Sequence, residues 1–193
     1  MPFAHTDDES RNANYSNEGS VNFTFRYQKN IMGLWMLQSI KKELGSVTFP
    51  ELINLARGKE KNYIVDVNDK RFLSPQSMIA EINAAVGREL GTASLVRTVY
   101  DSLALSYKQA IEELEVNTGA VFDSINIIGG GSRDGLLNEL TSKVTGKKVI
   151  TGPVEATATG NIIAQMISAG EIKDISAARE IIKNSFEISE VQV

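Results

Sequence analysis

The sequence contains no cysteine and a single histidine, His5, which rules out several kinds of site. A chain without cysteine forms no disulfide, carries no thiolate nucleophile and offers no sulfur ligand to a metal. His5 lies in a polar N-terminal stretch, where we expect a solvated side chain, because a general base needs a fixed neighbour. Cysteine-based catalysis and histidine-based zinc chemistry are therefore excluded.

Long runs of one kind of residue are also missing. No run of Lys or Arg is longer than Lys147-Lys148, and the formal net charge is −4, so we expect no nucleic-acid partner. No apolar run approaches the ~20 residues of a membrane span. The N-terminus lacks the basic-then-apolar order of a signal peptide. We therefore expect a cytoplasmic protein without a membrane partner.

The composition that is present is typical of a folded globular protein. Hydrophobic residues make up 42% and charged residues 23% of 193 residues, which is enough for one domain or one large lobe. Residues 1–20 are rich in Asn, Asp, Glu and Ser, which predicts an arm or loop that carries no core of its own. Residues 21–193 then form the lobe.

Apolar residues at helical spacing dominate the first two thirds of this lobe. Thr48 and Pro50 are typical of a helix start, and Gly45 and Gly119 of helix ends. The pattern predicts helices from Ile31 to Gly45, from Thr48 to about Arg57, from Ser74 through Val86 and from about Ser94 to Asn117, with a short strand at 63–66.

The last third alternates strands and helices. The pattern predicts a strand at 125–128, a helix at 133–145, a strand at 148–150, and two further helices at 156–169 and 176–183. The order is therefore strand, loop, helix, strand, which is typical of an α/β protein.

A run of three glycines, Gly129, Gly130 and Gly131, stands where the first of these strands turns into a helix. Such a turn lets the backbone approach a ligand closely, and the helix start presents free N–H groups and a positive dipole end. Glycines also serve tight strand-to-helix packing, so the residues alone leave both interpretations open. The spacing matches neither GxGxxG nor GxxxxGK[ST], which excludes the Rossmann and P-loop patterns.

Five segments in order and in register carry a family resemblance from about residue 10 to the end. They are Asn-Ile-Met-Gly-Leu-Trp at 30–35, Asp-Ser-Leu-Ala-Leu at 101–105, Gly-Gly-Gly-Ser at 129–132, Leu-Leu-Asn at 136–138, and Gly-Pro-Val-Glu-Ala at 152–156 with Gly160-Asn161. In these segments the chain resembles the C-terminal lobe of the FGGY carbohydrate kinases, and of the rhamnulokinases among them.

The resemblance implies an α/β, helix-rich, actin-like (ribonuclease-H-like) lobe that lacks its first strands. Such kinases close two lobes on ATP with Mg²⁺ and a ketose, and transfer the γ-phosphate to a sugar hydroxyl. The implied substrate is L-rhamnulose and the implied product L-rhamnulose 1-phosphate. No residue identified in the sequence is expected to ligate the magnesium.

Site residues follow from the same resemblance. Asn30 matches a sugar contact, while Gln38 and Gly130 match nucleotide contacts, with Gly129 and Gly131 beside them. Related kinases often have asparagine near the adenine at the position where this chain has Asp134. A carboxylate cannot donate a hydrogen bond to a ring nitrogen as the asparagine amide can.

Other roles are open for these residues and for their neighbours. Asn30 could instead cap a helix starting at Ile31, and Gln38 could be an exposed filler. We favour a core position for Trp35 and structural or solvent roles for Asp101 and Glu155.

The family's catalytic aspartate and ATP loop belong to an upstream lobe that the sequence does not match. We therefore expect this chain to be inactive alone, with the missing lobe as its partner and with self-association through an exposed sheet edge. The alternative is a non-catalytic, actin-like module for nucleotide binding or dimerisation.

Overall fold

The computed structural model describes residues 1–20, 23–60 and 63–191. The chain divides into two compact units, Met1–Val121 and Phe122–Val193, and each is described by itself. The elements of the first unit are α1 (Asp8–Asn12), β1 (Tyr15–Gly19), β2 (Phe25–Lys29), α2 (Trp35–Leu44), α3 (Phe49–Arg57), α4 (Met78–Val86) and α5 (Thr92–Thr118).

Residues 1–20, predicted as an arm, contain α1 and β1, and β1 pairs antiparallel with β2. The Tyr15 hydroxyl donates a 2.6 Å hydrogen bond to the carbonyl of Ala110 on α5. The rings of Tyr15 and Tyr27 stack at 4.6 Å, and the ring of His5 lies 4.9 Å from that of Tyr27. The expectation of a solvated His5 is therefore wrong, because its ring packs on the hairpin and only 24% of its side chain is exposed.

Helix α2 begins at Trp35, four residues later than the sequence pattern predicts, and ends at the predicted Gly45. Its buried face is formed by Met36, Leu37 and Ile40. Trp35 lies off this face and is 39% exposed, so the core position that we favoured for it is wrong.

The start of α3 agrees with the sequence. Thr48 and Glu51 form a reciprocal capping box, in which the Thr48 backbone N–H donates to Glu51 Oε2 at 2.7 Å. The strand predicted at 63–66 is absent, since residues 63–66 have no strand structure. Instead, the Val65 N–H donates to Ser102 Oγ of α5 at 3.0 Å.

Helix α5 at Thr92–Thr118 agrees with the helix that the sequence predicts from about Ser94 to Asn117. It buries Leu95, Val96, Val99, Tyr100 and Leu103, among others, and ends at Gly119, which has a positive φ of 67°. Arg97 Nε donates to Asp101 Oδ2 at 2.9 Å one turn along the helix. Its guanidinium also donates to the carbonyl of Lys59 at 2.6 Å, so Asp101 holds an arginine that ties α5 to the chain after α3.

The second unit contains β3 (Ser124–Ile127), a 3₁₀ turn (Gly129–Arg133), α6 (Gly135–Thr145), β4 (Lys148–Thr151), α7 (Ala156–Ser168), α8 (Ile175–Ser185) and β5 (Ser189–Val191). The strands β3 and β4 are parallel and are joined through α6, which confirms the predicted β-loop-α-β order. Strand β5, which the sequence did not predict, pairs antiparallel with β4. In the described part of the chain, β3 has β4 as its single strand neighbour.

Among the described residues, no helix is both long and apolar enough to cross a membrane.

Candidate functional site

The carboxyl ends of β3 and β4 meet at one edge of the sheet, because the two strands are parallel and in register. The loops that follow them are hydrogen-bonded to each other. Gly152 N–H donates to the carbonyl of Ile127 at 2.9 Å, and Gly129 N–H donates to the carbonyl of Pro153 at 3.2 Å. In open α/β sheets, ligands bind in the crevice outside the carboxyl ends of the strands. This edge is therefore the candidate site.

The three glycines of the turn differ in whether the backbone angle or the surrounding atoms require glycine at that position. Gly129 has a positive φ of 72°, a backbone conformation that residues other than glycine rarely adopt. A Cβ on Gly131 would make an ordinary 3.6 Å contact with the side chain of Ile127, and a Cβ on Gly130 would meet nothing within 4 Å. Packing within the described residues therefore gives no reason for glycine at 130, and its role as a nucleotide contact stays a prediction.

Side-chain hydrogen bonds hold this turn in place. Ser132 Oγ donates to the carbonyl of Gly129 at 2.7 Å, and Asn138 Nδ2 donates to the carbonyl of Ser132 at 3.1 Å. Asn138 is 2% exposed, so its donor is fixed inside the unit. The turn is thus ordered before any ligand arrives, which lowers the entropy cost of binding.

Asp134 caps helix α6. Its Oδ1 accepts a 3.1 Å hydrogen bond from the Leu137 N–H, and the side chain is half-buried. The capping role accounts for a short acceptor at this position. A contact between Asp134 and adenine stays a prediction.

A cavity of about 440 Å³ opens at this edge of the sheet. Small-molecule sites typically measure ~300–1,000 Å³. The cavity is lined by Ser132 and Arg133 after β3, by residues 151–155 at the end of β4 and in the loop after it, and by Phe186, Glu187 and Ser189 before and in β5. The predicted residues Gly129, Gly130, Gly131 and Asp134 adjoin this lining and do not belong to it.

The cavity carries charges of both signs. Arg133 is exposed and has no ion-pair partner in the part of the chain that the structure describes, while Glu155 and Glu187 supply carboxylates. Glu155, for which we favoured a structural or solvent role, precedes α7 and makes no side-chain capping bond. A cation with hydrogen-bond acceptors beside it suits a ligand that combines an anionic group with hydroxyls.

The first unit contains the other two predicted site residues. Asn30 is exposed and follows β2, whereas α2 begins only at Trp35 with Leu34 as its N-terminal cap. The alternative that Asn30 caps a helix starting at Ile31 is therefore wrong, and its sugar contact stays a prediction. Gln38 is exposed on α2, which leaves its amide accessible.

Within the described ranges, no group of three or more acidic or histidine residues could hold a metal ion.

Sequence reasoning missed Arg133, Phe186, Glu187 and Ser189. The last three reach the cavity only because β5 pairs with β4, a contact between residues some forty positions apart. A three-residue strand and a single phenylalanine after a helix give no local signal of that pairing.

Known proteins resemble this chain in sequence and in fold. The model of the FGGY family of carbohydrate kinases, C-terminal domain, matches residues 3–169. A rhamnulokinase of Bacillus subtilis (strain 168) is 43% identical over 184 residues, which are 91% of this chain and 38% of that protein. A rhamnulokinase of Ligilactobacillus salivarius is 44% identical over 183 residues, again 91% of this chain and 38% of that protein. The chain thus spans less than two fifths of the length of these relatives.

The crystal structure of xylulose kinase from Bifidobacterium adolescentis aligns with 71% of this chain and 28% of its own, with a TM-score of 0.52 and 19% identity. With the family match, this likeness confirms the α/β, actin-like (ribonuclease-H-like) fold that the sequence resemblance implied.

Proposed function

Because the chain belongs to the FGGY family of carbohydrate kinases, as its C-terminal domain, we propose that it is the nucleotide-binding part of a sugar kinase. The reaction is transfer of the γ-phosphate of ATP to L-rhamnulose, which gives L-rhamnulose 1-phosphate. The rhamnulokinases that are 43–44% identical to this chain support this choice of sugar.

One observation carries the nucleotide part of the proposal. Backbone hydrogen bonds join the carboxyl ends of the parallel strands β3 and β4 and the loops that follow them. The glycine turn is one of these loops, and a 440 Å³ cavity opens there. The turn leads into the start of α6, where the helix dipole favours a negative charge. Gly130 has open space at its Cα, so a nucleotide can approach the backbone.

The remaining site residues take roles within the same proposal. Gln38 contacts the nucleotide and Asn30 the sugar, and both side chains are exposed. Phosphoryl transfer also needs a residue that accepts the proton of the sugar hydroxyl and a Mg²⁺ ion that neutralises the phosphates. We assign the proton acceptor to an aspartate of the N-terminal lobe, in the part of the relatives that this chain does not span. The chain alone then binds nucleotide without turnover, in the cytoplasm as the sequence predicts.

The open edge of β3 favours the alternative of a dimerisation module. In the described residues this strand pairs on one side only, so its other edge can accept a strand from a second copy or from the N-terminal lobe. Sedimentation velocity over a concentration series distinguishes a self-associating chain from a monomer.

A chimeric kinase tests the proposed activity. This chain replaces the matching 38% of the Bacillus subtilis rhamnulokinase, and formation of L-rhamnulose 1-phosphate from ATP is measured. We expect turnover of L-rhamnulose by the chimera and none by the isolated chain.

Each other outcome corrects a different part of the account. A folded chimera that phosphorylates another ketose in preference to L-rhamnulose would overturn the choice of sugar. Turnover by the isolated chain would show that the proton acceptor lies within these residues.

A further inference from the structure

The C-terminal segment, residues 186–189, is fixed against the loop that follows β4. Thr151 pairs with Ser189, and Lys148 Nζ lies 3.0 Å from Glu190 Oε2 on the neighbouring strand. Gly152 has a φ of 100°, and a Cβ built on it would lie 2.7 Å from the carbonyl oxygen of Glu187. No residue with a side chain fits at Gly152 without moving this segment. The segment therefore forms one wall of the cavity, and its position is fixed by the fold.

Phe186 gives this wall an aromatic side chain. It caps the C-terminal end of α8, where its N–H donates to the carbonyl of Ile182 at 3.1 Å, which fixes its backbone. It lines the cavity and is 39% exposed, so part of its ring is open to a ligand. An exposed aromatic face beside a cavity suits stacking on a planar base.

The polar groups beside Phe186 suit the rest of a nucleotide. Glu187 adjoins it and can accept hydrogen bonds from ribose hydroxyls, as a carboxylate does in other nucleotide folds. Arg133, on the wall formed after β3, can pair with a phosphate oxygen. The three side chains thus offer, in one cavity, one partner for each part of a nucleotide.

We propose that Phe186 contacts the purine base of the nucleotide, so that residues 186–189 form a wall of the nucleotide site. This inference rests on the proposed nucleotide binding and adds to it a wall that lies beyond residues 3–169, the part matched by the family domain. Phe186 touches the base and not the phosphates. A substitution at Phe186 therefore lowers the affinity for a ligand that carries a base and leaves the affinity for a ligand without a base unchanged.

Calorimetric titration of the chain with MgADP and with magnesium tripolyphosphate tests the contact. Loss of stacking on the Phe186 ring should weaken MgADP binding roughly tenfold in Phe186→Ala. Tripolyphosphate binding should stay unchanged, because that ligand has no base. Phe186→Tyr should bind MgADP as the wild type does, whereas Phe186→Leu should show most of the loss while keeping an apolar side chain.

Phe49→Ala is the matched control, since Phe49 is 40% exposed and lies in the other unit. It should leave MgADP binding unchanged. Wild-type affinity for MgADP in both Phe186→Ala and Phe186→Leu would overturn the base contact. If Gly130→Val in the same series lost MgADP binding, the proposed nucleotide binding would still stand. Equal losses for MgADP and tripolyphosphate would also overturn the base contact, since they indicate a displaced wall. Absence of MgADP binding by the wild type would overturn both proposals.

Discussion

At the scale of single residues, Gly152 and Gly130 show two different reasons for glycine at one edge of a sheet. Gly152 combines a φ of 100° with the close approach of the Glu187 carbonyl, so the fold itself requires it. Gly130 has neither constraint, because φ is not positive there and its surroundings are open. A substitution at 152 therefore acts on stability, whereas we propose that one at 130 acts on ligand binding.

We expect Gly152→Ala to lower the free energy of unfolding of the second unit by ~1–3 kcal/mol. This is the usual cost of a strained backbone at a residue with a side chain. Gly130→Ala is the matched control and should stay within about 0.5 kcal/mol of the wild type. Urea unfolding followed by circular dichroism measures both. Equal stability of the two variants would show that the segment at Glu187 moves away without cost.

Tyr15 predicts a pH dependence of the first unit. Burial raises the pKa of its hydroxyl from 10.0 to about 12, and the nearby Glu113 and Tyr27 add to the rise. The folded state therefore favours the neutral hydroxyl, whose contribution is complete below pH 10 and is lost as the pH rises towards 12.

Melting temperatures of wild type and Tyr15→Phe across that interval isolate this effect from the titration of other groups. The wild type should lose more stability than the variant, whose ring cannot ionise. Parallel curves for the two proteins would contradict a raised pKa at Tyr15.

At the scale of elements, the turn and α6 form one ordered piece. Asn138 holds the carbonyl of Ser132, and Asp134 caps the helix that carries Asn138. The position of the glycines thus depends on the helix that follows them, which couples the predicted nucleotide contact to the stability of α6.

Asp134 separates capping from ligand binding. Asp134→Ala should cost about 1 kcal/mol of stability through loss of the cap, whereas Asp134→Asn should keep it, because asparagine caps equally well. If residue 134 faces adenine, Asp134→Asn should also tighten MgADP binding by ~1 kcal/mol, the value of one hydrogen bond. Thermal melts and calorimetry measure the two effects, and unchanged MgADP affinity in Asp134→Asn would place this residue away from the base.

Elements with a strong local pattern could be predicted from the sequence. Helix α5 and the β3-turn-α6-β4 unit have apolar periods bounded by glycines, and they were found. The hairpin β1–β2 was missed because its strands, Tyr-Ser-Asn-Glu-Gly and Phe-Arg-Tyr-Gln-Lys, bury only part of a few aromatic side chains. The start of α2 was misplaced since the apolar residues before Trp35 continue the helical spacing without being helical.

At the scale of the whole chain, the candidate site could be predicted only in part. The glycine turn has a local signature, so its place at the end of β3 followed from the sequence. The wall of residues 186–189 depends on the pairing of β5 with β4, and no local pattern encodes a register between distant segments. The family match supports the proposed nucleotide binding, and the structure supplies the cavity in which we propose that it takes place.

The central claim is that this chain binds a nucleotide at the glycine turn after β3, and calorimetric titration with MgADP tests it most directly. We expect binding by the wild type and by Gly19→Val, a control in β1 at a position where a Cβ would meet nothing within 4 Å. We expect no binding by Gly130→Val, with an unchanged thermal melt. Binding of MgADP by Gly130→Val as tightly as by the wild type would contradict the account.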